Sequence, residues 1–170
     1  MRQLTSAGFS LIELLVTLLI ISVVVSAATL FIGTDRSGQN IRSSIDLFHS
    51  RLQLVAQQAI LTNQTLGIDI TSEGYQFYRY TFKEQQYVWQ VINEERALRA
   101  TTWPSDTKIQ VTVNHQALAF LGAQFSDKPQ IIFYTNGNIT PFSIIFNQQY
   151  YMQGNVNGAI TSGQTEARYE

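Results

Sequence analysis

The 170-residue chain has no cysteine, only two histidines, three prolines and few charges. Without cysteine there is no disulfide framework, no thiolate nucleophile and no sulfur-based metal site, while the compartment stays open. His49 and His115 stand far apart in the sequence, which speaks against a histidine-built metal site. Charged residues make up 14% of the chain, against a usual share of about 25%. One long apolar run dilutes charge but does not explain this. Taking Glu13 from the 12 acidic residues and Arg2 from the 11 basic ones leaves 11 and 10 over residues 33–170, still sparse. Glutamine and asparagine fill the polar positions instead. A net charge of −1 gives no electrostatic case for nucleic acid or anionic lipid. The length suits one domain with an appendage and excludes a multidomain enzyme.

What the chain does have is an apolar run from Phe9 to Ile32, broken by one charge, Glu13. As a helix it covers about 36 Å, enough for a hydrocarbon core of roughly 30 Å. A secretory signal peptide is the competing reading, because Ser26-Ala27-Ala28 offers small residues after an apolar stretch. Against it, the run exceeds the roughly 7–15 apolar residues of such a signal, and the residues before it hold a single base, Arg2. Arg2 and the chain amine on one side and Arg36 and Arg42 on the other leave the orientation undecided by charge. A carboxylate at mid-bilayer costs about 2.5–3.5 kcal/mol, so Glu13 either reaches water at the membrane edge or meets a positive partner from another chain. Its spacing alone does not choose.

Gly8-Phe9-Ser10-Leu11-Ile12-Glu13, after the short polar leader MRQLTSA and before the apolar helix, resembles the class III signal of type IV pilins and type II secretion pseudopilins. The resemblance implies that a membrane-embedded prepilin peptidase cuts after Gly8 and methylates the new N-terminus, Phe9. It also implies that Glu13, fifth in the mature chain, pairs with the N-terminal amine of a neighbouring subunit during assembly. Two groups that are costly to bury singly become tolerable as a pair. A membrane-anchored N-terminus with the remaining chain outside follows from the resemblance too.

Gly33 to Asn40 interrupts the apolar pattern with two glycines and several weak helix formers. Apolar residues return at Ile41, Ile45, Phe48, Leu52, Val55, Ala56, Ala59 and Ile60, one face of an amphipathic helix, with Arg42, Asp46, Gln53 and Gln57 turned away. His49 flanks this stripe, where packing at the core edge is expected rather than ligation. After Asn63 the period becomes two. Strands are expected over 66–70, 75–82, 87–92, 109–113, 117–121, 130–134 and 142–146, with 156–160 as a possible last one. Asn136-Gly137 suits a tight reversal, and Thr140-Pro141 implies a longer connection. The fold class is therefore α+β: a long N-terminal helix, transmembrane in its first half and amphipathic in its second, packed on an antiparallel β-sheet head. The expected divisions are a leader at 1–8, a membrane and assembly helix at 9–32, its continuation with a weakened start at 33–63, and a β-rich head at 64–170.

Gly74-Tyr75-Gln76-Phe77, Trp89, the run Ile132 to Phe142 and the helix Leu52 to Ile60 narrow the resemblance to the H group of type II secretion minor pseudopilins. Where that group tends to carry an Ala-Arg pair and an acid, this chain has Ala56-Gln57-Gln58, a departure in surface chemistry. The resemblance implies a non-catalytic subunit near the tip of a periplasmic pseudopilus that aids export of folded proteins. Its partners would be the major and other minor pseudopilins, the prepilin peptidase, the inner-membrane assembly platform and, before assembly, lipid of a Gram-negative inner membrane. A minor pilin of a type IV pilus, sharing every N-terminal feature, is the alternative reading. A DNA-uptake minor pilin fits less well, because the tail offers only Arg168 between two glutamates where phosphate contacts need several bases. The last residues are too poor in acids for a calcium cage, and no cofactor is implied.

For enzymes the sequence offers little. Asp46, His49 and Ser50 lie close on one helix at ordinary surface spacing, and Glu94-Glu95-Arg96 reads as a solvated charge cluster. No nucleophile elbow or phosphate-cradling glycine loop is present. Tyr75, Tyr78, Tyr80, Tyr87 and Trp89 read as sheet core plus exposed partners for neighbours, with a carbohydrate-binding face as the other option.

Overall fold

The computed structural model describes residues 11–118 and 122–165, and of residues 24–39 the helical backbone without the side chains. The chain divides into two units, Met1–Asn40 and Ile41–Glu170. Helix α1, Leu11–Leu61, supplies the described part of the first unit. Its backbone remains helical through Gly33 and Gly38; glycine at about 1 kcal/mol apiece weakens a helix without ending it. Leu11 to Val23 are exposed all round. Among the described residues no helix is long and apolar enough to cross a membrane, and the side chains of 24–32, which complete the expected span, lie outside them.

In the second unit ten strands follow the helix among the described residues: β1 Leu66–Ile70, β2 Gly74–Lys83, β3 Gln86–Val91, β4 Thr101–Thr102, β5 Ile109–Val113, β6 Gln116–Ala117, β7 Ile131–Phe133, β8 Phe142–Phe146, β9 Tyr150–Gly154 and β10 Ile160–Gln164. They form two antiparallel sheets. The first runs β3-β2-β1-β7 with β4 beside β2, and the second runs β10-β9-β8-β5-β6. The period-two pattern decides which side chains go inward. Ile68 and Ile70 of β1, Tyr75 and Phe77 of β2, Ile131 and Phe133 of β7, Val111 of β5, Ile144 and Phe146 of β8 and Met152 of β9 join one core. The helix contributes Ile41, Ile45, Phe48, Leu52, Val55 and Ala59 to the same cluster, the stripe expected from its three-and-four spacing.

Several connections use left-handed backbone without glycine. Glu84 and Gln85 (φ 51° and 63°) turn β2 into β3, and Asn114 and His115 (φ 50° and 64°) turn β5 into β6. Positive φ at both central residues matches the twist of the flanking strands. One expected strand is corrected. Residues 156–159 form a turn: Asn155 Oδ1 accepts the amides of Asn157 and Ala159, and Gly158 takes φ 84°. The last strand therefore begins at Ile160, and its partner β9 lies in a stretch not expected to be extended. The expected 117–121 strand is described only as far as β6, because residues 119–121 lie outside the described ones. Between β7 and β8 the chain reverses at Asn136-Gly137, bridges Phe133 to Ile139, and changes sheet at Thr140-Pro141, the longer connection expected there.

The outer face of β1 is covered as well, so the whole strand is buried. A Cβ on Gly67 would fall 2.5 Å from Pro129, which leaves only glycine room beneath this segment. Next to it Asp69, 1% exposed, accepts the Ser126 amide at 2.7 Å on Oδ2, while Oδ1 has no partner. Burial raises the Asp69 pKa above its ordinary value of 3.8, outweighing the hydrogen bonds from Ser126. A raised folded-state pKa means that the folded chain holds the proton more tightly than the unfolded one. The resulting stability is complete below about 3.8 and is lost as pH rises through the folded value. Chemical denaturation of wild type and Asp69→Asn across pH 3 to 8 is therefore expected to show wild type gaining on the variant as pH falls through this window. Parallel curves would remove Asp69 as the source.

Candidate functional site

Of the residues the sequence singles out, Gly8 and Phe9 lie outside those described, and Glu13 stands exposed in the first turn of α1. Between Leu11 and Val23 the only other polar side chains are Thr17 and Ser22. Their hydroxyls donate to the carbonyls of Leu14 and Leu19 at 2.9 and 2.8 Å, which leaves the helix surface apolar except at Glu13. Leu11, Ile12, Leu15 and Leu19 are each more than half exposed. Among the described residues the Glu13 carboxylate meets no basic side chain, since Arg79–Glu95 is the one ion pair formed there. From Leu11 to Val23 the described helix surface is thus apolar all round with one charge, and exposed apolar surface of this extent marks an interaction surface.

The head carries no catalytic grouping in the places that hinted at one. Ser50 Oγ donates to the Asp46 main-chain carbonyl at 2.9 Å rather than to His49. His49 faces β10, with Nε2 3.3 Å from the Ile160 carbonyl and Nδ1 3.3 Å from Ser162 Oγ. It is a half-buried tie between the helix and the second sheet. A 470 Å³ hollow on that sheet is lined by His115, Thr112, Ser143, Gln153, Asn155 and Thr161 among others, with His115 its single titratable side chain. Among the described residues no three histidine or carboxylate groups converge as metal ligands.

Glu95 departs from the solvated cluster read from its neighbours. Its Oε1 accepts Arg79 Nη2 and its Oε2 accepts Gln58 Nε2, both at 2.7 Å. Strand β2 carries Arg79 to the loop after β3, and the helix brings Gln58 there. Gln58, read from the sequence as a departure in surface chemistry, thus ties the helix to the first sheet through Glu95 and Arg79. No spacing rule could have found this contact, because its members are 16 and 37 residues apart.

The other feature is the outer face of the β2–β3 hairpin. The register sets Tyr80 opposite Trp89 and Phe82 opposite Tyr87. Tyr80 and Tyr87 stack at 5.2 Å with 19° between planes, and Trp89 closes on Tyr80 at 4.8 Å. Phe82 and Tyr87 stay 62% and 63% exposed. Tyr75 and Tyr78 are buried, so the five aromatics singled out in the sequence split between core and surface. Parity explains the split: Tyr75 points with Phe77 into the core, while Tyr78, Tyr80 and Phe82 share the other face, and only Tyr78 is covered. Its hydroxyl donates to the Ser126 carbonyl.

The chain matches the family model described as Type II transport protein GspH over residues 44–164, and that described as the prokaryotic N-terminal methylation motif over residues 4–29. It is 21% identical over 157 residues to the type II secretion system protein H of Aeromonas hydrophila, across 88% of this chain and 85% of the relative. The protein of the same description from Pseudomonas aeruginosa is 25% identical over 146 residues, 82% and 81% of the two chains. Among solved structures, the fold is similar to the minor pseudopilin EpsH from the Type 2 Secretion System of Vibrio cholerae, with a TM-score of 0.62 at 20% identity over 77% of this chain and 99% of that one. The solution structure of Escherichia coli GspH gives a TM-score of 0.60 at 17% identity over 81% and 98%. The first match covers residues 44–164, the second half of the helix and most of the β-rich head. The chain belongs to the GspH family, the minor pseudopilins of type II secretion.

Proposed function

We propose that the mature chain begins at Phe9 and serves as a non-catalytic subunit near the tip of the pseudopilus. Before assembly the helix from Phe9 to Ile32 lies in the inner membrane as a single pass, with the head in the periplasm. On assembly it leaves the lipid for a bundle of like helices contributed by the major and other minor pseudopilins, handed on by the inner-membrane platform. The prepilin peptidase acts first, cutting between Gly8 and Phe9 and methylating the freed amine. The exposed Glu13 carboxylate, which meets no basic side chain among the described residues, on a helix surface apolar elsewhere from Leu11 to Val23 supports this reading above all. A neighbour's N-terminal amine is a partner of the right charge. Glu13 to amine pairing then sets the register of the helices, because a buried charge whose partner is removed costs about 3–5 kcal/mol. The glycines at 33 and 38 give the helix a stretch that melts during extraction; a continuous helix there in an assembled pseudopilus would contradict this detail.

Intact mass of the chain recovered from membranes tests the processing step. The expected species starts at N-methylated Phe9, and retention of residues 1–8 would contradict it. Gly8→Ala is expected to block cleavage. Glu13→Leu is expected to be cleaved normally yet to enter pseudopili at least about tenfold less well, given the cost of leaving the amine unpaired. Wild-type incorporation of Glu13→Leu would take its assigned role away.

A further inference from the structure

Strand β3 is an outer strand of the first sheet, and no strand pairs with its far side. Tyr80 N–H donates to Thr65 O, away from β3, so Tyr80 and its partner Trp89 are a non-hydrogen-bonded pair of the β2–β3 ladder. The main-chain N–H and C=O of Trp89 therefore point outward. Alternation gives the same direction to Tyr87 and Val91, and the bond from Ile92 N–H to Phe77 O agrees with it from the other parity. Among the described residues no main-chain group accepts from or donates to these outward amides and carbonyls.

Proteins usually protect such an edge with a charge, a proline, a bulge or a covering segment. Here Gln86-Tyr87-Val88-Trp89-Gln90-Val91 has no charge and no proline, and its pairing with β2 is unbroken from Tyr78↔Val91 to Lys83↔Gln86. Among the described residues the other edges are covered, short or, at β10, tied to the helix through Ile160 O. The outer side of β7 is occupied by Ile139 and Thr140, with Thr140 N–H bonded to Ile132 O and Ile132 N–H to Thr140 Oγ1. β10 lies against His49, and β4 and β6 have two residues each. Tyr87 and Trp89, whose main-chain groups face out, also place their rings in the exposed aromatic cluster.

We propose that β3 is a docking edge for an extended, uncharged segment of another pseudopilin subunit, which adds to the first sheet as a further strand with apolar side chains beside Tyr87 and Trp89. Main-chain donors and acceptors repeating at every second residue are matched only by another extended main chain. This proposal rests on the pseudopilus reading above. In a fibre built by parallel helices the subunits are related by a screw operation. The two-fold that would pair β3 with β3 of a second copy is then unavailable, so the occupant is a different segment.

The test uses the full chain expressed with its secretion system. Val91→Pro removes one outward N–H without touching the β2 ladder, and Val91→Ala controls for the side chain. The expected result is that both variants keep the wild-type melting temperature while Val91→Pro enters pseudopili at least tenfold less well than Val91→Ala. Equal incorporation of the two would overturn the proposal. Should Val91→Pro destabilise the head, hydrogen exchange on the wild-type peptide 86–91 decides instead. About half its amides are expected to exchange quickly in the free detergent-held chain and to become protected in pseudopili; unchanged exchange on assembly overturns the docking edge. Because the chain has no cysteine, Gln90→Cys gives a single cross-linking site. Linkage to another pseudopilin supports the proposal, and linkage to a second copy of this chain overturns the stated occupant. Absence of wild-type chain from pseudopili would instead defeat the pseudopilus reading itself.

Discussion

Phe48 is the residue on which the head closes. Its ring, fully buried, lies 4.6 Å from Tyr75 of the first sheet, 5.1 Å from Trp103 and 6.2 Å from Phe146 of the second. The contacts are tilted or edge-on, the arrangements aromatic quadrupoles favour. Trp103 reaches back to the first sheet by donating its indole N–H to Thr71 O at 3.2 Å. Neither sheet has a closed core without the helix: the buried faces of β1, β2, β7 and β8 converge on the stripe from Ile41 to Ala59. The constraint is one of supply, since two small sheets with few inward residues need a third surface to complete their burial.

That constraint gives the single helix two unlike environments. From Ile41 onward one face belongs to the head, held by packing, by His49 against β10 and by Gln58 through Glu95 to Arg79. From Leu11 to Val23 every side chain is exposed and nearly all are apolar. The boundary between the two units, at Asn40 and Ile41, follows directly on the glycine-containing stretch. Low charge in the head fits the same pattern of use. Its sparsely charged strands and open aromatic hairpin bring no strong repulsion to close neighbours, and the buried Asp69 is pushed toward the neutral form.

Much of this was legible in the sequence because one physical signal dominated locally. The helix stripe was readable from three-and-four spacing, and β1, β2, β3, β5, β7 and β8 from short runs of β-branched and aromatic residues. The Gly8–Glu13 motif gives processing and assembly expectations, and its Gly8 and Phe9 lie outside the described residues. The misses have physical reasons. Val156 to Ile160 looks extended by composition, yet the Asn155 side chain and Gly158 fold residues 156–159 into a turn. Asn147 and Gln148 adopt positive φ without a glycine to announce the reversal, so β9 went unseen behind a run of polar residues. The Glu95 contacts and the open edge of β3 are properties of register. Which amides point outward depends on the partner of Tyr80, and no spacing within β3 encodes it.

The central claim is that one buried helix face unites both sheets into a single cooperative core. Equilibrium denaturation of full-length Phe48→Ala in detergent, followed by near-ultraviolet dichroism of the aromatic cluster and far-ultraviolet dichroism of the strands, tests it most directly. The account predicts one coincident transition for both signals, with a stability loss of about 3–5 kcal/mol for an aromatic truncated in a close-packed core. A loss below about 1 kcal/mol, or two separated transitions in the wild-type chain, would contradict it.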